Sequence, residues 1–237
     1  MCSMRAVILA GGKGTRLRPY TLVLPKPLMP IGEFSILEVI IRQLKYHSFD
    51  HITLSVNHQA ELIKAFFGDG ERFGVRIDYC IEDKPLSTMA PLRLINDLPD
   101  NFLVMNGDVL TDLNFSSFYK HHVQEENIFT ISSYFREHIN DYGVLITDKD
   151  KKLIDFKEKP HTRFEVSMGI YMGNKKILNT IPEDTYYGFD NLMLDLIKKG
   201  TPASVRIHDG YWLDIGRPDD YHIAIEKFED KKEIFLK

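Results

Sequence analysis

The spacing of apolar and polar positions divides the chain into short elements that alternate in type. Arg5-Ala6-Val7-Ile8-Leu9-Ala10 is a nearly continuous apolar run closed by Gly11-Gly12, the pattern of a strand buried on both faces. A loop rich in basic residues follows, as far as Pro30. Ser35-Ile36-Leu37-Glu38 then fits a capping box, and Ile36, Leu37, Ile40, Ile41 and Leu44 recur on one face at helical spacing. Residues 51–56 predict a second strand, 60–67 a second helix stopped by Gly68-Asp69-Gly70, 75–81 a third strand, and 102–105 a fourth stopped by Asn106-Gly107. This alternation predicts an α/β fold with a mostly parallel, doubly wound sheet. Ligands of such sheets bind beyond the carboxyl ends of the strands, which singles out the loops beginning at Gly11, Glu82 and Asn106.

The second half has a different texture. Residues 128–134, 143–147, 153–156 and 166–172 read as strands, and Asp148-Lys149-Asp150 carries the turn chemistry of a hairpin. A helix over 189–198 sets Phe189, Leu192, Met193, Leu196 and Ile197 on one stripe, two short strands flank Asp209-Gly210, and a charged helix starts near Pro218. With no Pro/Gly/Ser linker, repeat or low-complexity tract, residues 1–237 read as one domain in two lobes, about 4–112 and about 113–237.

Charge narrows the function classes. Thirty basic against 34 acidic residues leave a net charge of −4, which lacks the overall basic balance of a nucleic-acid-binding protein. The positive charge that matters is local. Cys2 and Cys80 are the only cysteines, too few and too far apart for a disulfide framework or a zinc cluster, and suited to a reducing compartment. The apolar run 6–10 is too short to cross a bilayer or to serve as a signal peptide. The expectation is a cytoplasmic protein without a membrane partner.

Gly11-Gly12-Lys13-Gly14-Thr15-Arg16-Leu17-Arg18-Pro19 directly follows the first strand. Glycines let backbone N–H groups approach phosphate oxygens. The spacing is not that of a Walker A loop, and Leu17 stands where a dinucleotide-binding loop needs its third glycine. Arg16, Arg18 and Lys26 would gather positive charge beside the glycines, which suits a triphosphate.

This stretch, continued by Tyr20-Thr21 and followed by Pro25-Lys26-Pro27, resembles the signature of the sugar-1-phosphate nucleotidyltransferases. The likeness extends along the chain. Asn106-Gly107-Asp108 resembles the family's strand-end metal site, and Phe156-Lys157-Glu158-Lys159-Pro160 its sugar-phosphate motif. Ser167-Met168-Gly169-Ile170-Tyr171 resembles the adjoining strand, and Trp212-Leu213-Asp214-Ile215-Gly216 the segment with a second metal-binding aspartate.

The resemblance implies a Rossmann-like sheet of the nucleotide-diphospho-sugar transferase type with a smaller sugar-binding lobe. It also implies transfer from a nucleoside triphosphate to a sugar-1-phosphate with release of pyrophosphate. Arg16, Lys26 and Asp108 would then be catalytic. Leu9, Gly11, Gly12, Gly14, Thr15, Arg16, Glu82, Pro85, Ser87 and Thr88 would meet the nucleotide. Asn106, Gly143, Glu158, Lys159 and Gly169 would meet the sugar phosphate, and Asp108 and Asp214 would hold Mg²⁺. Relatives often self-associate, so a homodimer is expected. The short stretch after Asp214 points to a stand-alone transferase module.

Several residues also have plainer readings. Asp112 reads as a solvated loop or cap residue, Trp212 as core or wall, and His121 and His122 as surface or core. Glu158-Lys159 has a surface ion pair as its plain alternative. Ser87 stands where many relatives have glycine and Met89 where they have small residues, so both side chains are expected to take space beside the nucleotide. That keeps a non-catalytic, nucleotide-binding paralogue open. The run from Glu82 to Thr88 is closer to guanylyltransferases for mannose- or heptose-1-phosphate than to thymidylyltransferases. Glucose-1-phosphate with UTP, CTP or dTTP is the alternative. A glycosyltransferase on a similar sheet would have no need of the triphosphate loop.

Overall fold

The structure is a computed structural model that describes residues 4–57 and 59–236; Cys2 lies outside them. In chain order the first half contains β1 (Met4–Leu9), a small hairpin of β2 (Pro30–Ile31) and β3 (Phe34–Ser35), α1 (Ile36–Tyr46), β4 (Phe49–Val56), α2 (Ala60–Phe67), β5 (Arg76–Ile81), β6 (Asn101–Asn106) and β7 (Val109–Thr111). Then follow α3 (Phe115–Gln124), β8 (Phe129–Ile139), β9 (Val144–Thr147), β10 (Leu153–Lys157) and β11 (His161–Asn174). The chain continues through α4 (Phe189–Lys198), β12 (Ser204–Ile207), β13 (Trp212–Asp214), α5 (Pro218–Asp230) and α6 (Lys232–Phe235).

Seven strands form one sheet in the order β12-β8-β11-β6-β1-β4-β5. Four of its six neighbouring pairs are parallel; β11 runs antiparallel to both β6 and β8. Alternate side chains of the central strands therefore enter two separate cores. Ala6 and Ile8 of β1, with Leu103 and Met105 of β6, pack beneath α1, α2, α3 and α5. Val7, Phe102 and Val104 face the other way, onto Met89, Leu92 and the Leu192–Leu196 stripe of α4. Both faces of a largely parallel sheet are thus covered, which is why β1 and β6 read as unbroken apolar runs. Among the described residues no helix is long and apolar enough to cross a membrane.

Local predictions are refined on two helices and met at one hairpin. On α1, Ile36, Leu37, Ile40, Ile41 and Leu44 are at most 2% exposed, each burial contributing about 1.5–3 kcal/mol. The Ser35 hydroxyl accepts the Glu38 amide (3.2 Å) as a cap should, but the Glu38 carboxylate turns to Arg42 (2.8 Å), so only one arm of the predicted capping box forms. On α4, Leu192 and Leu196 are buried whereas Ile197 is 64% exposed, so the stripe is narrower than its sequence suggests. The predicted hairpin is present: β9 pairs antiparallel with β10, and Asp148 Oδ1 accepts from the amides of Asp150 and Lys152 (both 2.9 Å).

Candidate active site

The carboxyl ends of β1, β4 and β6 line up, with Leu9 in register with both Ser55 and Asn106. Beyond them opens a cleft of about 520 Å³. Its floor is Leu9, Gly11, Gly12 and Asn106; one wall is Glu82, Pro85, Ser87 and Thr88; Asp108 lies at the inner end. Nine residues drawn from three separate sequence motifs therefore share one cavity. Lys13, Asn57 and Tyr186 also line it, and sequence reasoning did not select them. Asn57 immediately follows β4, so the rule that ligands sit at strand carboxyl ends was a usable signal.

The basic loop folds over this end as three tight turns, Thr15–Leu17, Tyr20–Leu22 and Lys26–Leu28. Gly14 makes the first possible. Its φ is +59°, and a Cβ there would fall 2.9 Å from the Thr21 methyl group. Thr21 in turn donates to the Gly14 carbonyl (2.7 Å). Gly12 has nothing within 4 Å of where a Cβ would be, which leaves its backbone open to the cleft. Thr15 and Arg16 are solvent-exposed at the rim, while Leu17 is fully buried and anchors the turn.

Lys26 behaves differently from the exposed cations of its loop, Lys13, Arg16 and Arg18. It is 8% exposed, fixed between Pro25 and Pro27 by a turn in which the Met29 amide donates to the Lys26 carbonyl (3.0 Å). Its ammonium pairs with Asp108 Oδ2. The other oxygen, Asp108 Oδ1, is buried without a hydrogen-bond partner, an arrangement that costs free energy unless some ligand satisfies it.

Asp214 reaches the same place from the far end of the chain. The two-residue connection from β6 leads into β7, which pairs antiparallel with β13 so that Asp214 stands opposite Val109, and the Ile215 amide donates to the Asp108 carbonyl (2.9 Å). Burial holds the Asp214 carboxyl above the usual carboxylate range; the Asp108 charge adds to this, while Lys26 and Arg16 oppose it. A Cβ at Gly216 would lie 3.0 Å from Asp214 Oδ2 and 3.4 Å from Arg16 Nη1, which brings that guanidinium to the same turn. Two carboxylates with one unsatisfied buried oxygen are a donor set suited to a hard divalent cation that keeps several waters. Among the described residues no cluster of three or more His, Cys, Asp or Glu side chains forms, so waters and phosphate oxygens would have to complete the shell.

The loop over residues 82–90 is tied to the start of α4. The amides of Met89 and Ala90 donate to the Tyr187 carbonyl (both 3.1 Å), the Tyr187 amide to Leu86 (3.0 Å), and the Phe189 amide to Thr88 Oγ1 (2.9 Å). Glu82 is held from two sides, by the Ser55 hydroxyl (2.9 Å) and the Leu86 amide (3.2 Å). Ser87 lines the cleft with φ +71°. Met89, expected to take space beside the bound ligand, does not line the cleft: its side chain is fully buried in the second core.

The expected sugar-phosphate residues divide. Gly169 touches the cleft through Asn106. The register of β8 against β11 shifts between Ser167 and Tyr171, Gly169 adopts φ +73°, and a Cβ there would fall 2.5 Å from Asn106 Nδ2. Trp212 acts as a wall, its indole donating to the Met168 carbonyl in this bulge (2.9 Å). Gly143, Glu158 and Lys159 instead sit on the exposed β9–β10 arm, where Gly143 backs onto the Phe156 ring and the Glu158 carboxylate. Asp112 is not a solvated residue: its Oδ1 accepts from the Tyr211 amide (2.7 Å) and faces His208 Nε2 (2.9 Å), clamping the 208–211 turn onto the end of β7. His122 is buried against Thr130 (2.8 Å).

An α/β sheet with a glycine-lined cleft at its carboxyl edge, flanked by buried lysine and paired carboxylates, defines a nucleotide-binding transferase class. The profile of the nucleotidyl transferase family matches residues 5–231, and the chain belongs to that family, in its sugar-1-phosphate branch. A UTP--glucose-1-phosphate uridylyltransferase from Synechocystis sp. is 36% identical, the match covering 94% of this chain and 62% of the relative. A D-glycero-alpha-D-manno-heptose 1-phosphate guanylyltransferase from Aneurinibacillus thermoaerophilus is 31% identical across 95% of this chain and 99% of its own length. Among solved structures, HddC from Yersinia pseudotuberculosis superposes with a TM-score of 0.74 at 28% identity, covering 95% of this chain and 99% of that one. It has also been solved complexed with GMP-PN.

Proposed function

We propose that this chain transfers a nucleotidyl group from a nucleoside triphosphate to a sugar-1-phosphate. The favoured pair is GTP with mannose-1-phosphate or D-glycero-D-manno-heptose-1-phosphate. The observation that carries the reading is the meeting of Lys26, Arg16, Asp108 and Asp214 at one end of the glycine-lined cleft. In this reaction a phosphate oxygen of the sugar phosphate forms a bond to the α-phosphorus while the bond to pyrophosphate breaks. The nucleophile is already anionic and needs no base. Bringing two polyanions together is the obstacle, and positioning with charge neutralisation is what the protein supplies.

On this reading the backbone of Gly11, Gly12 and Gly14 and the side chains of Thr15 and Arg16 hold the triphosphate, with Arg16 neutralising the departing pyrophosphate. Lys26 neutralises charge at the α-phosphate. Leu9, Glu82, Pro85, Ser87 and Thr88 hold base and ribose. Asn106 and Gly169 position the acceptor, and Gly143, Glu158 and Lys159 meet its sugar phosphate from the β9–β10 arm. Asp108 and Asp214 hold Mg²⁺, which when bound offsets phosphate charge.

Guanine is favoured because the heptose 1-phosphate guanylyltransferase from Aneurinibacillus matches over its full length and because HddC has been solved with GMP-PN. The uridylyltransferase from Synechocystis, at 36% identity, favours UTP with glucose-1-phosphate as the second reading. Pyrophosphate release across five nucleoside triphosphates and several sugar-1-phosphates, with Mg²⁺, separates them. Signal with GTP and mannose- or heptose-1-phosphate is expected. Signal with UTP and glucose-1-phosphate would keep the reaction and overturn the substrates. Silence from protein that still binds nucleotide would point to a rarer phosphorylated substrate or to a non-catalytic, nucleotide-binding paralogue.

A further inference from the structure

The Lys26–Asp108 pair has a consequence beyond catalysis. A lysine that only awaited a phosphate would be expected to extend into the open cleft, as the exposed Lys13 does. Lys26 instead lies buried on a carboxylate, at the turn where the Ile215 amide bonds to the Asp108 carbonyl and the β7–β13 ladder brings in Asp214. Without a cation between them, such carboxylates in a partly desolvated turn repel each other. An ammonium on Asp108 and a guanidinium beside Asp214 balance them two against two. Asp108 Oδ1 is left over, buried and unpartnered.

We propose that Lys26 is an internal stand-in for the divalent ion. In the free protein its ammonium occupies Asp108 and keeps the bare ion weakly bound; a nucleoside triphosphate releases it by offering phosphate oxygens in exchange. Ion and nucleotide then bind with positive coupling, and Lys26 is the coupling element. The physics is competition for one acceptor. A bare ion must displace the ammonium from Asp108 without offering it a new anion, whereas a triphosphate brings both the ion and the ammonium's new partner. Coupling of this kind is reciprocal, so the ion must tighten nucleotide binding by the same factor. The inference rests on the assignment of Asp108 and Asp214 to the metal.

Mn²⁺ binding followed by electron paramagnetic resonance tests it without turnover, on the full chain, with and without a non-hydrolysable GTP analogue. The wild-type protein is expected to bind Mn²⁺ weakly alone and at least tenfold more tightly with the analogue. Lys26→Met, which keeps the length of the side chain without its charge, is expected to bind Mn²⁺ about tenfold more tightly than wild type in the absence of nucleotide, and to lose most of the coupling. Lys13→Met removes a cation of the same loop that lines the cleft, and is expected to leave the affinity of the free protein nearly unchanged. Equal Mn²⁺ affinity of free wild type and Lys26→Met would overturn the proposal, as would an equal gain in Lys13→Met. If Lys26→Met folds poorly, a larger rise in its melting temperature with Mn²⁺ than wild type shows reads the same competition. Asp108→Asn isolates the underlying assignment: unchanged Mn²⁺ binding in the presence of the analogue would remove the metal site itself.

Discussion

The cleft and the β9–β10 arm are built by opposite means. Along the cleft, key residues of each loop are pinned, although the outer turns of the basic loop are exposed. Lys26 is 8% exposed and Leu17 and Met89 are fully buried, while loop and helix exchange backbone hydrogen bonds. Gly143, Glu158 and Lys159 instead belong to a two-stranded arm whose Tyr142, Leu145 and Phe156 are 79%, 64% and 50% exposed. The contrast fits the division of labour proposed for the reaction. Charge stabilisation in a transition state depends on groups that need not reorganise. Recognition of an acceptor can be carried by an arm whose residues contribute little to the core.

The contrast can be broken most directly at its rigid side. Lys26→Ala and Asp108→Ala are each expected to lower kcat by two to three decades, about 3–4 kcal/mol in the transition state, with the native circular dichroism spectrum retained. Near-normal turnover in either well-folded variant would sink the assignment.

Acid tests the packing that carries the arm, since His122 supports β8 through Thr130. Burial lowers the His122 pKa from 6.5 to about 4, so between those values the unfolded chain binds more protons than the folded one. Stability is therefore full above about pH 6.5 and lost as the pH falls toward 4, by up to about 3 kcal/mol. Urea unfolding across that range should show a shallower pH dependence for His122→Gln; identical slopes would exclude this origin.

On the exposed side, Glu158→Ala is expected to raise KM for the sugar phosphate about tenfold and leave both the melting temperature and KM for the triphosphate alone. A parallel rise in both KM values would place Glu158 elsewhere. The smallest effect is expected at Ser87, whose φ of +71° costs a non-glycine residue about 1–2 kcal/mol. Glycine recovers most of that while adding unfolded-chain entropy, so Ser87→Gly should stabilise by about 0.5 kcal/mol in chemical denaturation. A loss of stability would mean that the Ser87 hydroxyl holds the loop.

The parallel half of the fold was legible because each strand there is a short apolar run between breakers. Ala60–Phe67 and Phe189–Lys198 were located to the residue. The long antiparallel pair β8 and β11 was underestimated. Its outer ends, 136–139 and 161–165, are mostly polar and exposed, and only cross-strand partners such as His161 with Ile139 define them as strands. At the site, the glycine loop and Asp108 were readable from local chemistry. That Asp214 stands beside Asp108 was not, because three residues of ladder between β7 and β13 decide it across a separation of about a hundred positions. Met89 was misjudged because its sequence neighbours line the cleft, while its side chain turns the other way into the core.

The ladder of β7 with β13 also bears on how the protein comes into being. A ribosome delivers β1, the glycine loop, Lys26 and Asp108 long before it delivers Trp212–Asp214. A nascent chain arrested before that segment holds every element of the cleft's floor and the lysine with its carboxylate partner, but only one of the two aspartates we assign to the ion. By that assignment, the capacity to consume triphosphate is installed last, once the C-terminal strand has closed onto a cleft already built.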